Sequence, residues 1–143
     1  MRRLGSPTVD LLGLFGMVFL LQQVGGALGW GIAWIALAAP IARPWTLVTS
    51  IYAHAGISHL LVNAIALVVV GFALERSTTR VRFHAFVLVT GMLAGLTELF
   101  VNRIVGTQVA VLGASGAILA LYGYVITGNS ITGGLLARVD LSR

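Results

Sequence analysis

The sequence consists of long apolar runs that are separated by single arginines or short arginine clusters. Three of these runs carry no charge and cover Leu11 to Ala42, Pro44 to Leu74 and Ile104 to Ala137. A fourth, Phe83 to Asn102, contains one histidine and one glutamate as its only ionisable residues. A helix needs about 20 apolar residues to cross about 30 Å of hydrocarbon. Each run is therefore long enough for one membrane span.

The composition indicates that lipid is the main solvent for this chain. Hydrophobic residues make up 58% of it and charged residues 9%, whereas about a quarter of the residues of a soluble domain are charged. We predict helices near 9–25, 57–74, 83–101 and 114–126. The predicted fold is an all-α polytopic membrane bundle, a single domain over 1–143 with about four transmembrane helices.

The arginines predict the orientation of the bundle. Seven fall on one side of the predicted spans and two on the other; the seven are Arg2, Arg3, Arg76, Arg80, Arg82, Arg138 and Arg143, and the two are Arg43 and Arg103. Basic residues accumulate on the cytoplasmic side, so we expect a cytoplasmic N-terminus in a multi-pass protein of the cell membrane. The net charge of +5 is spread between apolar runs, which argues against a nucleic-acid-binding patch. The absence of cysteine excludes a thiolate nucleophile.

Polar side chains cluster where the second predicted helix begins, near the outer leaflet. His59 and Asn63 are four residues apart, so they share one helix face. His54 lies five residues before His59 and either points elsewhere or belongs to the preceding loop. Polar groups at membrane depth usually face a protein interior or a water-filled cavity. This end of the helix is therefore a candidate site.

The fourth predicted helix begins at the same side of the membrane with Gly113, Ala114, Ser115 and Gly116. A serine in a first helical turn lies beside unpaired N–H groups and the positive end of the helix dipole, which would stabilise an oxyanion. Gly113 and Gly116 would let a substrate backbone approach closely. Serine and glycine also serve helix packing in membranes, so this motif alone is weak evidence.

The motifs together resemble the rhomboid family of intramembrane serine proteases. The resemblance rests on His-x4-His-x3-Asn at the outer end of the second helix and Gly-x-Ser-Gly at the outer end of the fourth, with Arg43-Pro44-Trp45-Thr46 and Gly71-x3-Glu75-Arg76 in the family's order. It covers about 43–128. It implies a six-helix fold, of which this chain would supply the first four helices.

The resemblance also implies roles for the polar residues. Ser115 would be the nucleophile that attacks a peptide bond of a transmembrane substrate, in a site that faces the outer leaflet. His59 and Asn63 would stabilise the oxyanion together with the Ser115 N–H. His54 would be a supporting residue, as would the two glycines beside Ser115. The expected partners are transmembrane protein substrates and the lipid bilayer, with no cofactor and no metal.

The family's general base is a histidine on the sixth helix, and this chain has only His54, His59 and His84. We therefore expect the chain to be part of a six-helix protein and to have little protease activity by itself. One alternative is a non-catalytic rhomboid-like protein that binds client helices. Another is a small four-helix transporter, which is disfavoured because Asp10 and Glu98 both lie towards the ends of spans.

Overall fold

The computed structural model describes residues 5–107 and 110–128. Five α-helices make up most of this part of the chain, and they are α1 (Pro7–Ala27), α2 (Thr46–Tyr52), α3 (Ile57–Leu74), α4 (Arg80–Ile104) and α5 (Ser115–Thr127). A 3₁₀ turn, Ile32–Trp34, lies between α1 and α2. The predicted all-helical membrane bundle is confirmed.

Three helices, α1, α3 and α4, are long and apolar enough to cross a membrane. They correspond to the first, second and third predicted spans. The fourth, α5, is apolar but has 13 described residues, about 20 Å at 1.5 Å per residue. Within the described residues α5 is therefore shorter than a full span.

The helices run antiparallel and give the bundle two ends. The serine end holds the N-termini of α3 and α5, and the arginine end holds Arg76, Arg80 and Arg82 near the C-terminus of α3 and the N-terminus of α4. α5 packs against both α3 and α4, and α1 packs against α3. The short helix α2 packs on α4.

The core lies between these helices. Its buried side chains include Leu11 and Phe15 of α1, Leu67 of α3, Val87 of α4 and Leu121 of α5. Many apolar side chains on the outer faces are exposed, as expected for helices that are solvated by lipid rather than by water. Within the described residues, the bundle thus packs one apolar stripe of each helix inwards and leaves other apolar side chains exposed.

Polar contacts fasten the arginine end. Glu75, which follows α3, accepts hydrogen bonds from the hydroxyls of Ser6 and Thr8 at 2.6 and 2.8 Å. Asp10 of α1 accepts from the Arg80 guanidinium at 2.8 and 3.0 Å, and it lies 3.1 Å from His84 Nε2. These contacts tie the beginning of α1 to the end of α3 and the beginning of α4.

Candidate active site

Ser115 is the first residue of α5, and its side chain is exposed. No side chain caps this helix, whereas Ser6 caps α1 and Thr79 caps α4. The first N–H groups of a helix have no partner inside it. At α5 these donors and the positive end of the helix dipole remain available next to the Ser115 hydroxyl.

Two backbone contacts hold the segment that precedes Ser115. Leu37 and Val111 pair as an antiparallel bridge, with hydrogen bonds of 2.8 and 2.9 Å in the two directions. The Gly113 N–H then donates to the carbonyl of Ser50 in α2 at 2.8 Å. The start of α5 is thus anchored to the connection between α1 and α3, which contains both Leu37 and Ser50.

His59 lies against Gly113. An added Cβ at Gly113 would lie 2.6 Å from His59 Cε1 and 2.9 Å from Nε2, so only glycine allows the imidazole this close. The Gly113 φ of +115° is also one that side-chain-bearing residues rarely adopt. The structure therefore brings His59 of α3 together with the Gly-Ala-Ser-Gly motif of α5.

The hydrogen bond at His59 Nδ1 determines which ring nitrogen carries the proton when His59 is neutral. The Ala55 N–H donates to His59 Nδ1 at 3.3 Å, so Nδ1 is an acceptor and the proton resides on Nε2. His59 is the third residue of α3, and its side chain reaches back to the N–H of Ala55, the residue before the N-cap Gly56. The consequence is an N–H donor on the side of the ring that faces Gly113.

Asn63 is buried, with 4% of its surface exposed, and lies one helical turn beyond His59. Its amide Nδ2 donates to the His59 carbonyl at 2.9 Å. An amide carries two N–H donors, so one of them is not used by this bond. Asn63 thus shares the helix face of His59, as the four-residue spacing predicts.

His54 lies in the loop between α2 and α3, outside the spanning helices, and is 1% exposed. Its Nδ1 donates to the carbonyl of Tyr52 at 3.1 Å, and its ring meets those of Phe15 and His59 edge to face, with centroids 4.9 and 5.3 Å away. Its Nε2 is buried without a hydrogen-bond partner in the described part of the chain. His54 therefore packs against the His59 ring from the buried side and does not face outwards.

Burial, and secondarily the nearby His59, lowers the pKa of His54 from 6.5 to about 4. The neutral imidazole is the form that the folded protein favours. The stability that the folded protein gains by holding His54 neutral is fully present above the unfolded pKa of 6.5 and is lost as the pH falls towards 4. His54 is thus held uncharged at neutral pH.

Gln22 holds the backbone of His54, a contact that sequence reasoning missed. Its amide donates to the His54 carbonyl at 3.0 Å and accepts from the His54 N–H at 3.0 Å. The available signal was the polar pair Gln22-Gln23 inside an otherwise apolar helix. Through Gln22, α1 helps to position the loop that leads into His59.

Gly116 lies against α4. An added Cβ there would overlap the Cβ of Ala94 in α4. The missing side chain at Gly116 therefore permits close contact between α4 and α5. Helix packing is the alternative role that the sequence left open for this glycine.

His84 is at the arginine end, where it contacts Asp10, and so lies at the opposite end of the bundle from Ser115. In the described ranges, no group of three or more His, Asp or Glu side chains is arranged to hold a metal ion. The candidate site therefore consists of Ser115, His59 and Asn63, with His54 behind them.

Part of this chain is similar in sequence to known proteins. A sequence model of the Rhomboid domain matches residues 42–134, which include all the site residues. RHOMBOID-like protein 1 of Arabidopsis thaliana is 35% identical over 83 residues, 58% of this chain and 20% of that protein. The Putative rhomboid protease YdcA of Bacillus subtilis (strain 168) is 34% identical over 79 residues, 55% of this chain and 38% of that protein. The chain spans well under half the length of these relatives. It belongs to the rhomboid family.

Proposed function

We propose that this chain carries the nucleophile and the oxyanion donors of an intramembrane serine protease. The observation that carries the proposal is the placement of the His59 ring against Gly113, with its Nε2–H towards this glycine, two residues before the exposed Ser115. This contact and the uncapped start of α5 at Ser115 support a site in which a hydroxyl, helix N–H groups and a side-chain N–H donor act together. Acyl transfer by serine uses such a nucleophile and such oxyanion donors together with a base.

In the proposed reaction, Ser115 Oγ attacks the carbonyl carbon of a peptide bond in a transmembrane substrate. The carbonyl oxygen becomes an oxyanion, which the Ser115 N–H, His59 and Asn63 would stabilise. The hydroxyl proton passes to a base, for which the family resemblance points to a histidine of a sixth helix, and then to the leaving amine. Water afterwards hydrolyses the acyl-enzyme. Loss of one oxyanion donor lowers such rates by about 10²- to 10³-fold.

A fluorophosphonate probe and a transmembrane reporter test the proposal in liposomes, with the protein expressed from its native gene. We expect covalent labelling and reporter cleavage in the natural protein and in Ser58→Ala, which removes another exposed serine at the serine end. Both signals should disappear in Ser115→Ala. Labelling that persists in Ser115→Ala, or a folded natural protein that neither reacts nor cleaves, would contradict the proposal.

The positions and hydrogen bonds of the three histidines favour a second candidate, a non-catalytic protein that binds client helices. His84 is engaged at the arginine end, His54 donates to Tyr52 and is buried, and His59 Nδ1 is occupied by Ala55. None of these rings is placed as a base for Ser115. This candidate predicts equal co-purification of an intact client helix with the natural protein and with Ser115→Ala, without probe labelling.

We also propose that the serine end faces the outside of the cell membrane. The support is the accumulation of arginines at the opposite end, which is typical of cytoplasmic segments. Because the chain lacks cysteine, single cysteines at Gly5 and Ala55 report on the two ends separately. A membrane-impermeant maleimide added to intact cells should label Ala55→Cys and not Gly5→Cys; the reverse pattern would refute this orientation.

A further inference from the structure

The peptide group between His54 and Ala55 is held at both of its polar atoms. Its carbonyl, which belongs to His54, accepts a hydrogen bond from the Gln22 amide at 3.0 Å. Its N–H, which belongs to Ala55, donates to His59 Nδ1 at 3.3 Å. The bond is trans, so the group is planar and its C=O and N–H point in opposite directions. Gln22 of α1 and His59 of α3 therefore bind opposite edges of one rigid unit.

Gln22 restrains this peptide group more firmly than a single hydrogen bond would. Its Oε1 also accepts the His54 N–H at 3.0 Å, so one side-chain amide binds both backbone polar groups of His54. Hydrogen bonds in a chain polarise one another, so the bond at the carbonyl makes the N–H on the other side of the peptide group a better donor. Gln22 thus orients the peptide group and strengthens its hydrogen bond to the imidazole of His59.

Other contacts of α1 and of the loop hold His54 in the same position. Phe15 and Gln22 are seven residues apart, about two helical turns, so they share one face of α1. The Phe15 ring meets the His54 ring edge to face, and His54 Nδ1 donates to the carbonyl of Tyr52. These contacts join described residues directly, so they do not depend on what covers the outer faces of the bundle.

We propose that Gln22 is a positioning residue for His59, which acts through the peptide group between His54 and Ala55. It keeps His59 Nδ1 as the acceptor of a hydrogen bond and thereby keeps the proton on Nε2, towards Gly113. Without the Gln22 amide the peptide group is free to tilt, the bond to Nδ1 weakens, and the neutral ring exchanges between its two tautomers. The effect on catalysis rests on the proposed function, in which this Nε2–H is an oxyanion donor, whereas the effect on the imidazole does not.

Two substitutions of Gln22 separate its hydrogen bonds. Gln22→Met removes both bonds and keeps an unbranched, flexible side chain. Gln22→Glu has a carboxylate that accepts the His54 N–H but has no N–H for the His54 carbonyl. Gln23→Met is the matched control, because Gln23 is the next residue of α1 and is exposed. All three are made in the full-length protein expressed from its native gene, and circular dichroism in the same micelles measures their helix content.

Nitrogen NMR of protein labelled with ¹⁵N-histidine reports the tautomer of His59, whose signals are those lost in His59→Ala. At pH 9, where histidine rings are ordinarily neutral, the protonated and the unprotonated ring nitrogens give separate resonances. We expect a protonated Nε2 and an unprotonated Nδ1 in the natural protein and in Gln23→Met. In Gln22→Met and Gln22→Glu the two resonances should move towards each other, because exchange between tautomers averages them.

Two spectroscopic results would overturn the proposal. A protonated Nδ1 of His59 in the natural protein would do so without any substitution. An unchanged separation of the two resonances in either folded variant of Gln22 would show that the amide does not control the ring. Because Gln22→Glu keeps a polar side chain and one hydrogen bond, it carries the test if Gln22→Met does not fold.

Cleavage of the transmembrane reporter measures the consequence for catalysis. We expect Gln22→Met to lower kcat about tenfold with little change in KM, less than the roughly 10²- to 10³-fold loss that follows removal of a donor, because the ring remains. In the His59→Ala background Gln22→Met should lower kcat no further, since its effect passes through that ring. Equal losses in the two backgrounds would indicate a general structural role and would contradict the proposal.

The two proposals fail in different ways. If the expected nitrogen spectra are obtained but cleavage does not depend on Ser115, the proposed function is refuted and the role of Gln22 at His59 is upheld. If cleavage depends on Ser115 but the spectra of the Gln22 variants match that of the natural protein, the role of Gln22 is refuted and the proposed function is upheld.

Discussion

Replacing Gly113 with alanine tests the contact on which the candidate site depends. The new Cβ would lie 2.6 Å from His59 Cε1 and 2.9 Å from Nε2, distances that require the ring or the loop to move. The loop cannot move freely, because the Gly113 N–H is bonded to Ser50 and Val111 is bridged to Leu37. We therefore expect the His59 ring to be displaced from its contact with Gly113.

Two effects contribute to the expected loss of stability. Alanine at a φ of +115° carries backbone strain of about 1–3 kcal/mol. Crowding of a packed ring adds about 1–3 kcal/mol. Gly106 has a φ of +80° and nothing within 4 Å of an added Cβ, so Gly106→Ala carries strain without crowding. Gly113→Ala should consequently destabilise the protein by at least about 1 kcal/mol more than Gly106→Ala.

Equilibrium unfolding in mixed detergent and SDS micelles, followed by circular dichroism, measures both variants. The double variant Gly113→Ala/His59→Ala removes the ring that is crowded, so it should be more stable than the sum of the single changes predicts by about 0.5–3 kcal/mol. Additive effects in this cycle, or equal losses in Gly113→Ala and Gly106→Ala, would show that the imidazole does not rest on Gly113. The contact would then offer no support for a role of His59 beside Ser115.

Hydropathy alone predicts the long helices but not their ends. The predicted range 57–74 coincides with α3, whereas α1 and α4 extend beyond 9–25 and 83–101 to Pro7–Ala27 and Arg80–Ile104. Ser6 and Thr79 cap these two helices with side-chain hydrogen bonds to Val9 and Arg82. Helix ends outside the hydrocarbon carry polar residues, so an apolar window stops short of them while the capping residues mark the true start.

The connection between α1 and α3 is the part that sequence patterns describe least well. α2 has seven residues inside an uncharged run, too few for a helical period to be recognised against its surroundings. The bridge between Leu37 and Val111 joins residues far apart in sequence. Such contacts depend on the arrangement of the whole bundle, so no local pattern in the connection reveals them.

In the candidate site too, local sequence spacing predicts one part of the arrangement, and the packing of the helices determines the other. The four-residue spacing of His59 and Asn63 places them on one helix face from local geometry alone. The approach of His59 to Gly113 depends on how α3 and α5 pack, and only the family resemblance brings these residues together before the structure is known. Gly116 shows the limit of reasoning from residue type, because its surroundings depend on where Ala94 of α4 lies.

Two further predictions concern the packing of α5 and the buried histidine. Gly116→Ala should destabilise the bundle by about 1–3 kcal/mol through overlap with Ala94, and adding Ala94→Gly should restore most of this loss in the same unfolding assay; a double variant no better than the single one would contradict the contact. The folded protein holds the pKa of His54 at about 4, against 6.5 when unfolded, so at pH 5 the unfolded chain binds a proton that the folded one does not. We expect the natural protein to lose about 2 kcal/mol of unfolding free energy between pH 8 and pH 5 beyond the loss in His54→Asn, whose amide can replace the Nδ1–H donor but does not titrate. Other titrating groups are the same in both proteins and cancel in the difference. Parallel pH profiles would therefore mean that His54 is not buried as a neutral ring, and that His59 is not supported by an uncharged neighbour.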